Sequence, residues 1–135
     1  MSADNGVYIL KTRDQYRVIE TQAIENVYFS FLHPEVLSDK LVPTRILEYW
    51  GNSKYTFDKA TAMQVAERIL NKVLSDYGIC EYGIRICEHD QTWKSIVHDA
   101  KDLAQKELDK IEPFHDPYYE CVKQRLRDIV EGKIT

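Results

Sequence analysis

The chain has 135 residues, 44% of them hydrophobic and 30% charged, with a formal net charge of −4. That length suits one domain with a real core, and the composition is that of an ordinary globular protein. The acidic balance argues against a protein that coats nucleic acid, since such affinity comes from neutralised phosphates, and it suits a basic surface on another protein. No window reaches the about 18 continuous apolar residues that a membrane helix needs. The start is polar, without the charged and apolar regions of a secretory leader, so a cytoplasmic location is expected.

The first residues, Ser2-Ala3-Asp4-Asn5-Gly6, precede an apolar run. Asp4-Asn5-Gly6 has the side-chain acceptors and permissive glycine of a tight turn. A phosphate loop is not expected, because GxxxxGK[ST] and GxGxxG are both absent and Gly6 leads into a strand. Residues 7–12 and 16–21 are rich in β-branched and aromatic side chains and read as a β-hairpin across Arg13-Asp14-Gln15.

Residues 23–43 read as an irregular excursion holding Val27-Tyr28-Phe29-Ser30-Phe31-Leu32, with one turn of helix after Pro34. Pro43 is expected to end it. Residues 44–50 (TRILEYW) then read as a third strand, closed by Gly51-Asn52. A helix follows from Thr56 or Phe57-Asp58, with Ala62, Val65, Ala66, Ile69, Val73 and Tyr77 on one stripe and Gly78 as its left-handed end. Ile79 to Cys87 reads as a strand with Cys80, Tyr82, Ile84 and Ile86 on one face and Glu81 and Arg85 on the other. Such a sheet is covered on one side only. Cys80 and Cys87 are then expected on opposite faces and unable to pair. With Cys121 they make an odd count, which suits reduced thiols.

Two helices finish the chain. Residues 91–111 carry Trp93, Ile96, Val97, Ala100, Ala104, Leu108 and Ile111 at helical spacing, and Glu112-Pro113 stops them. Asp116-Pro117 is an N-cap followed by proline at the first helical position. The stripe Tyr119, Val122, Leu126, Ile129 and Val130 follows, and Gly132 ends it. The expected fold is α+β. A mainly antiparallel sheet of about four strands (β-β-β-α-β) with one helix packed on it fills residues 1–90. An antiparallel helix pair fills 91–135, within a single domain. Apolar stripes on the last helices suggest a homodimer.

Three kinds of chemistry have candidate residues within this frame. His89 and His98 with neighbouring carboxylates suggest a metal-dependent hydrolase, but their spacing matches no zinc pattern and a catalytic zinc needs three convergent ligands. His115-Asp116 reads as a helix start. Cys80 or Cys87 as nucleophile needs a base and a lowered pKa, which nothing in the sequence supplies. Arg13, Arg17, Arg45 and Arg85 are candidate phosphate holders for a nucleotide or small-molecule binder, such as a sponge for a signalling nucleotide. The basic residues Lys123, Arg125 and Arg127 interleave with acids and read as a solvated helix face.

The stronger signal is aromatic: nine tyrosines and two tryptophans in a small acidic chain. Tyrosine and tryptophan are favoured where one side of a ring meets a partner. Tyr28, Phe29 and Phe31, rimmed by Glu35 and Asp39, are the expected contact surface for a protein partner. No catalytic residue, metal or cofactor is expected.

Residues 2–29 (SADNGVYILKTRDQYRVIETQAIENVYF) resemble the opening of a group of small, mostly uncharacterised proteins encoded by bacteriophages and prophages. The pieces ILEYWGN (46–52), Tyr55 to Ala60, Tyr77-Gly78 and Glu81-Tyr82-Gly83-Ile84 are similar to later parts of that group. The resemblance covers residues 2–87, and the C-terminal helices depart from its shorter members. It implies a non-enzymatic accessory protein, acting in the cytoplasm of an infected bacterium, that binds and modulates or inhibits a host protein. Inhibition of a defence system, of the anti-CRISPR type, is one form of that role. Fold and genetic context do not themselves fix such a function.

Overall fold

The computed structural model describes residues 5–22, 30–31, 42–53 and 55–134. Tyr28, Phe29, Glu35 and Asp39 lie outside these residues, and Phe31 is described only as backbone. The elements run β1 (Asn5–Lys11), β2 (Tyr16–Gln22), β3 (Ser30–Phe31), α1 (Pro43–Trp50), β4 (Tyr55–Thr56), α2 (Lys59–Tyr77), β5 (Ile84–Glu88), α3 (Trp93–Ile111) and α4 (Pro117–Val130). The chain divides into two compact units: Met1–Leu41 with Ser53–Trp93, and Val42–Asn52 with Lys94–Thr135.

The first unit is a sheet in the order β3-β5-β1-β2-β4. The expected α+β class is therefore present, but the sheet is mixed, because β1 runs parallel to β5 and antiparallel to β2. Register makes rows across the three long strands. Ile86, Ile9 and Val18 stand side by side, as do Cys87, Leu10 and Arg17. Val7, Ile9, Val18, Ile84 and Ile86 form one face, and Ala62 and Ala66 of α2 pack into the same core. The small alanines let the helix approach closely, while Met63, Val65, Ile69 and Leu70 flank it.

The opposite face was expected to be polar and open. Instead Tyr8, Leu10, Arg17 and Cys87 are all buried. A strand buried on both faces carries a continuous apolar run rather than an alternation, and Val7-Tyr8-Ile9-Leu10 is such a run.

Three further expectations are corrected. Residues 44–50 are helix, not strand. Pro43 opens α1 at its first turn rather than closing the segment before it. Ile46, Leu47 and Trp50 are buried at helical spacing, so a burial stripe replaces the strand alternation. Secondly, β5 begins only at Ile84, because Gly83 has φ 59° and turns the chain. Cys80 thus lies outside the strand that holds Cys87, and all three cysteines are free. Thirdly, Asn5 and Gly6 belong to β1 rather than to a turn. Asn5 accepts a hydrogen bond from the Tyr82 backbone N–H at 3.0 Å, and Val7 donates to the Gly83 carbonyl at 2.8 Å.

Other boundaries agree with the sequence reading. Asp58 caps α2 by accepting from the Thr61 N–H at 2.7 Å, and Gly78 ends that helix in the left-handed region at φ 76°. Asp116 caps α4 by accepting from the Tyr119 N–H at 3.0 Å.

Gly6 is needed for space. A Cβ built there stands 2.9 Å from the Tyr82 Cβ and 3.1 Å from the Tyr8 ring. Gly6→Ala is expected to cost about 1–3 kcal/mol through overpacking. Urea denaturation would show this as a lowered midpoint. An unchanged midpoint would mean that the 81–83 turn moves freely away.

Candidate protein-binding surface

The second unit brings together α1, α3 and α4. Its buried residues include Ile46, Leu47, Trp50, Ile96, Ala100, Ala104, Leu126 and Ile129. A groove of about 630 Å³ opens in this unit. Val122, Leu126, Ile129 and Ile134 supply its apolar lining, and Tyr118 stands at its margin. Charge is organised along one side. Glu48 takes Arg45 at 3.2 Å and Arg125 at 3.3 Å, so a single carboxylate holds two guanidinium groups from different helices. An apolar floor with a polar rim is the usual anatomy of a recognition surface.

The link between α3 and α4 adjoins this groove through Tyr118. With the first turn of α4 it carries an aromatic trio. The Phe114 and Tyr119 rings stack with centroids 4.9 Å apart, and Tyr118 meets Tyr119 edge-on at 5.4 Å. Tyr118 is 71% exposed and Phe114 49%. Such rings are held by one another while their outer faces meet solvent.

On α4, close to the link, Lys123 is 1% exposed. Its ammonium donates to the Glu112 carbonyl oxygen at 3.0 Å and to Glu120 Oε1 at 3.3 Å, with His115 Nδ1 at 3.5 Å. A buried lysine keeps its charge only where acceptors surround it. Here it closes the link by binding a carbonyl just beyond the C-terminus of α3, where a cation is favoured. The hydrogen bond from Lys123 holds the Glu120 carboxyl below its ordinary value, and the Lys123 charge and His115 act in the same direction.

Of the sequence-derived arginines, three lie in the sheet unit and one in the groove. Arg17 is buried with its guanidinium 3.6 Å above the Trp93 ring, and its Nε donates to Gln15 Oε1 at 2.7 Å. Arg85 donates from Nε to the Tyr82 carbonyl at 3.2 Å. Arg45 belongs to the groove just described. Arg13 stands in a second cleft, of about 390 Å³, with Lys11, Thr12, Glu88, His89 and Asp90. The Thr12 hydroxyl accepts from the Gln15 N–H at 3.1 Å and closes the hairpin turn. Arg13 N–H donates to the Gln91 carbonyl at 3.0 Å, and Asp14 accepts from the Trp93 N–H at 3.0 Å. Arg13, Arg17 and Arg85 thus occupy three different settings in the first unit, and Arg45 lies in the second.

His89 Nδ1 accepts from the Gln91 N–H at 3.3 Å, and His98 is exposed on α3. Among the described residues no three His, Cys, Asp or Glu side chains are placed to hold a metal ion. Burial, with the Glu88 charge adding, pushes the Cys87 thiol up to about 12. Burial raises Cys80 as well. Neither is a ready nucleophile, since the thiolate is the reactive form.

Sequence reasoning passed over Phe114, Tyr118 and Tyr119. The signal lies in EPFHDPYYE (112–120), where Phe114 follows one proline and Tyr118 and Tyr119 follow the next, and where the same residues also read as a helix boundary.

Two outcomes check the Lys123 clamp. Lys123→Ala is expected to cost about 2–4 kcal/mol from lost stem burial and the orphaned carbonyl, with Lys123→Met recovering part of it. Because the Glu120 pKa is depressed on folding, its contribution is present above pH 4.5 and lost as pH falls through the lower folded value. Glu120→Gln should therefore lose less stability than wild type between about pH 5 and about pH 3, read by chemical denaturation at each pH.

Comparison with protein-family models, with curated proteins and with solved structures returned no match to this chain.

Proposed function

We propose that the protein is a non-catalytic binding protein that docks on another protein through its helical unit. The role fits a phage accessory protein acting on a host or defence protein in the bacterial cytoplasm. The observation that carries the reading is the pair of exposed rings, Phe114 and Tyr118, held by Tyr119 beside an apolar groove with an arginine–glutamate rim. Aromatic anchors in or beside a groove, with polar groups around them, carry most of the energy of protein recognition. The acidic net charge and the resemblance of residues 2–87 to phage proteins support the same reading.

Partner chemistry then differs from the sequence expectation in place rather than in kind. Tyr28, Phe29, Phe31, Glu35 and Asp39 remain proposed contacts in addition to the helical surface. A second reading, small-molecule binding, draws on one observation: the 390 Å³ cleft follows the carboxyl ends of the neighbouring parallel strands β1 and β5. Ligands of open sheets collect at such ends. Of the four candidate arginines, this cleft holds Arg13.

Affinity capture from host cells with mass-spectrometric identification tests the first reading. A specific partner is expected with wild type, and at least tenfold less with Val122→Asp combined with Arg125→Glu, while circular dichroism of the variant is unchanged. Failure to retain any specific partner would overturn it. A thermal upshift of wild type with nucleotides, lost in Arg13→Ala, would favour the second reading instead.

A further inference from the structure

We propose that the link between α3 and α4 receives a cationic peptide segment of the protein partner, its arginine or lysine side chains seated on the outer faces of Phe114 and Tyr118 among carboxylates. The inference rests on the binding reading above and specifies the partner's chemistry.

Charge is the first ground. Residues 107–120 hold five carboxylates (Glu107, Asp109, Glu112, Asp116 and Glu120) and one lysine, Lys110. That net charge of −4 equals the formal charge of the whole chain. Lys110 lies 3.9 Å from Glu107, and Lys123 offsets Glu120. Asp109, Glu112 and Asp116 are exposed on the same stretch. An anionic or nucleic-acid partner is repelled here, and a cationic one is attracted.

The aromatic faces are the second ground. A ring's face is electron-rich and attracts a guanidinium or ammonium group. Phe114 lies against one side of Tyr119 and Tyr118 meets its edge, which leaves the outer faces of Phe114 and Tyr118 toward solvent. Rings paired with carboxylates select a cation over a plain apolar side chain, because the latter would strip water from the acids without replacing it.

Preorganisation is the third. Pro113 precedes Phe114 and Pro117 precedes Tyr118, so each ring follows a residue whose backbone angle is fixed. The Phe114 N–H donates to the Ile111 carbonyl at 2.9 Å, and Lys123 ties the link to α4. Little order remains to be imposed on binding.

The test uses the full-length ¹⁵N-labelled chain and a hexa-arginine peptide, with a hexa-glutamate peptide as control. Saturable amide shifts centred on residues 114–120 are expected with hexa-arginine and none with hexa-glutamate. Apparent affinity should fall tenfold or more in Phe114→Ala/Tyr118→Ala and several-fold in Glu112→Lys, which keeps both rings. It should also weaken as salt is raised. Absent shifts, shifts centred elsewhere, or equal affinity in the double variant would overturn the inference. If hexa-arginine fails while captured partner still depends on Val122 and Arg125, the cationic-segment inference falls and the binding reading stands. If capture retains no partner, the binding reading falls and takes this inference with it.

Discussion

The pairing of β1 with β5 is the constraint on which the sheet unit depends. β1 touches two neighbours of opposite sense, and four consecutive residues, Val7 to Leu10, are at most 2% exposed. Every backbone polar group of such a strand needs a partner, because water cannot reach it. β2 and β5 provide them, and the 81–83 turn takes up the groups at the N-terminal end. Gly6 is small because the turn lies against it. Asn5 and Gly6 are therefore the first residues of the central strand.

The same pairing sets the composition of the strands. β5 carries Ile84 and Ile86 toward the α2 core, and Cys87 on the other face, where Arg17 is also buried. A buried guanidinium is costly unless its plane and donors are used. Trp93 supplies a face for it and Gln15 an acceptor. Arg17, one of the arginines the sequence offers for phosphate capture, is thus packed against Trp93. In the helical unit Lys123 illustrates the same rule, with a carbonyl and a carboxylate meeting its charge.

Elements with strong local signals were legible in the sequence. The hairpin, α2 with Asp58 and Gly78, and α4 with Asp116-Pro117 follow from period, caps and proline placement. TRILEYW was not. Its β-branched and aromatic residues favour a strand locally, and the helix arises from burying Ile46, Leu47 and Trp50 on one side, a tertiary effect that overrides propensity. The parallel sense of β1 and β5 was equally hidden, since it joins segments more than 70 residues apart, and so was the burial of both sheet faces. For the surface, aromatic excess was visible in the composition. Which rings lie outward was not, because EPFHDPYYE reads first as a helix boundary and its exposure follows from the clamp at Lys123.

The proposed binding role rests on a short link tied to α4 by a buried lysine, and on a groove along which Glu48 holds two arginines. The most direct measurement is site-specific photo-crosslinking in the bacterial host, with a photoreactive amino acid replacing Tyr118 in one strain and Phe57 in another. Phe57 is 77% exposed and lies in the sheet unit, so it controls for exposure alone. The account predicts one dominant protein adduct from position 118 and none of comparable yield from position 57. No adduct at 118, or the same adducts from both positions, would contradict it.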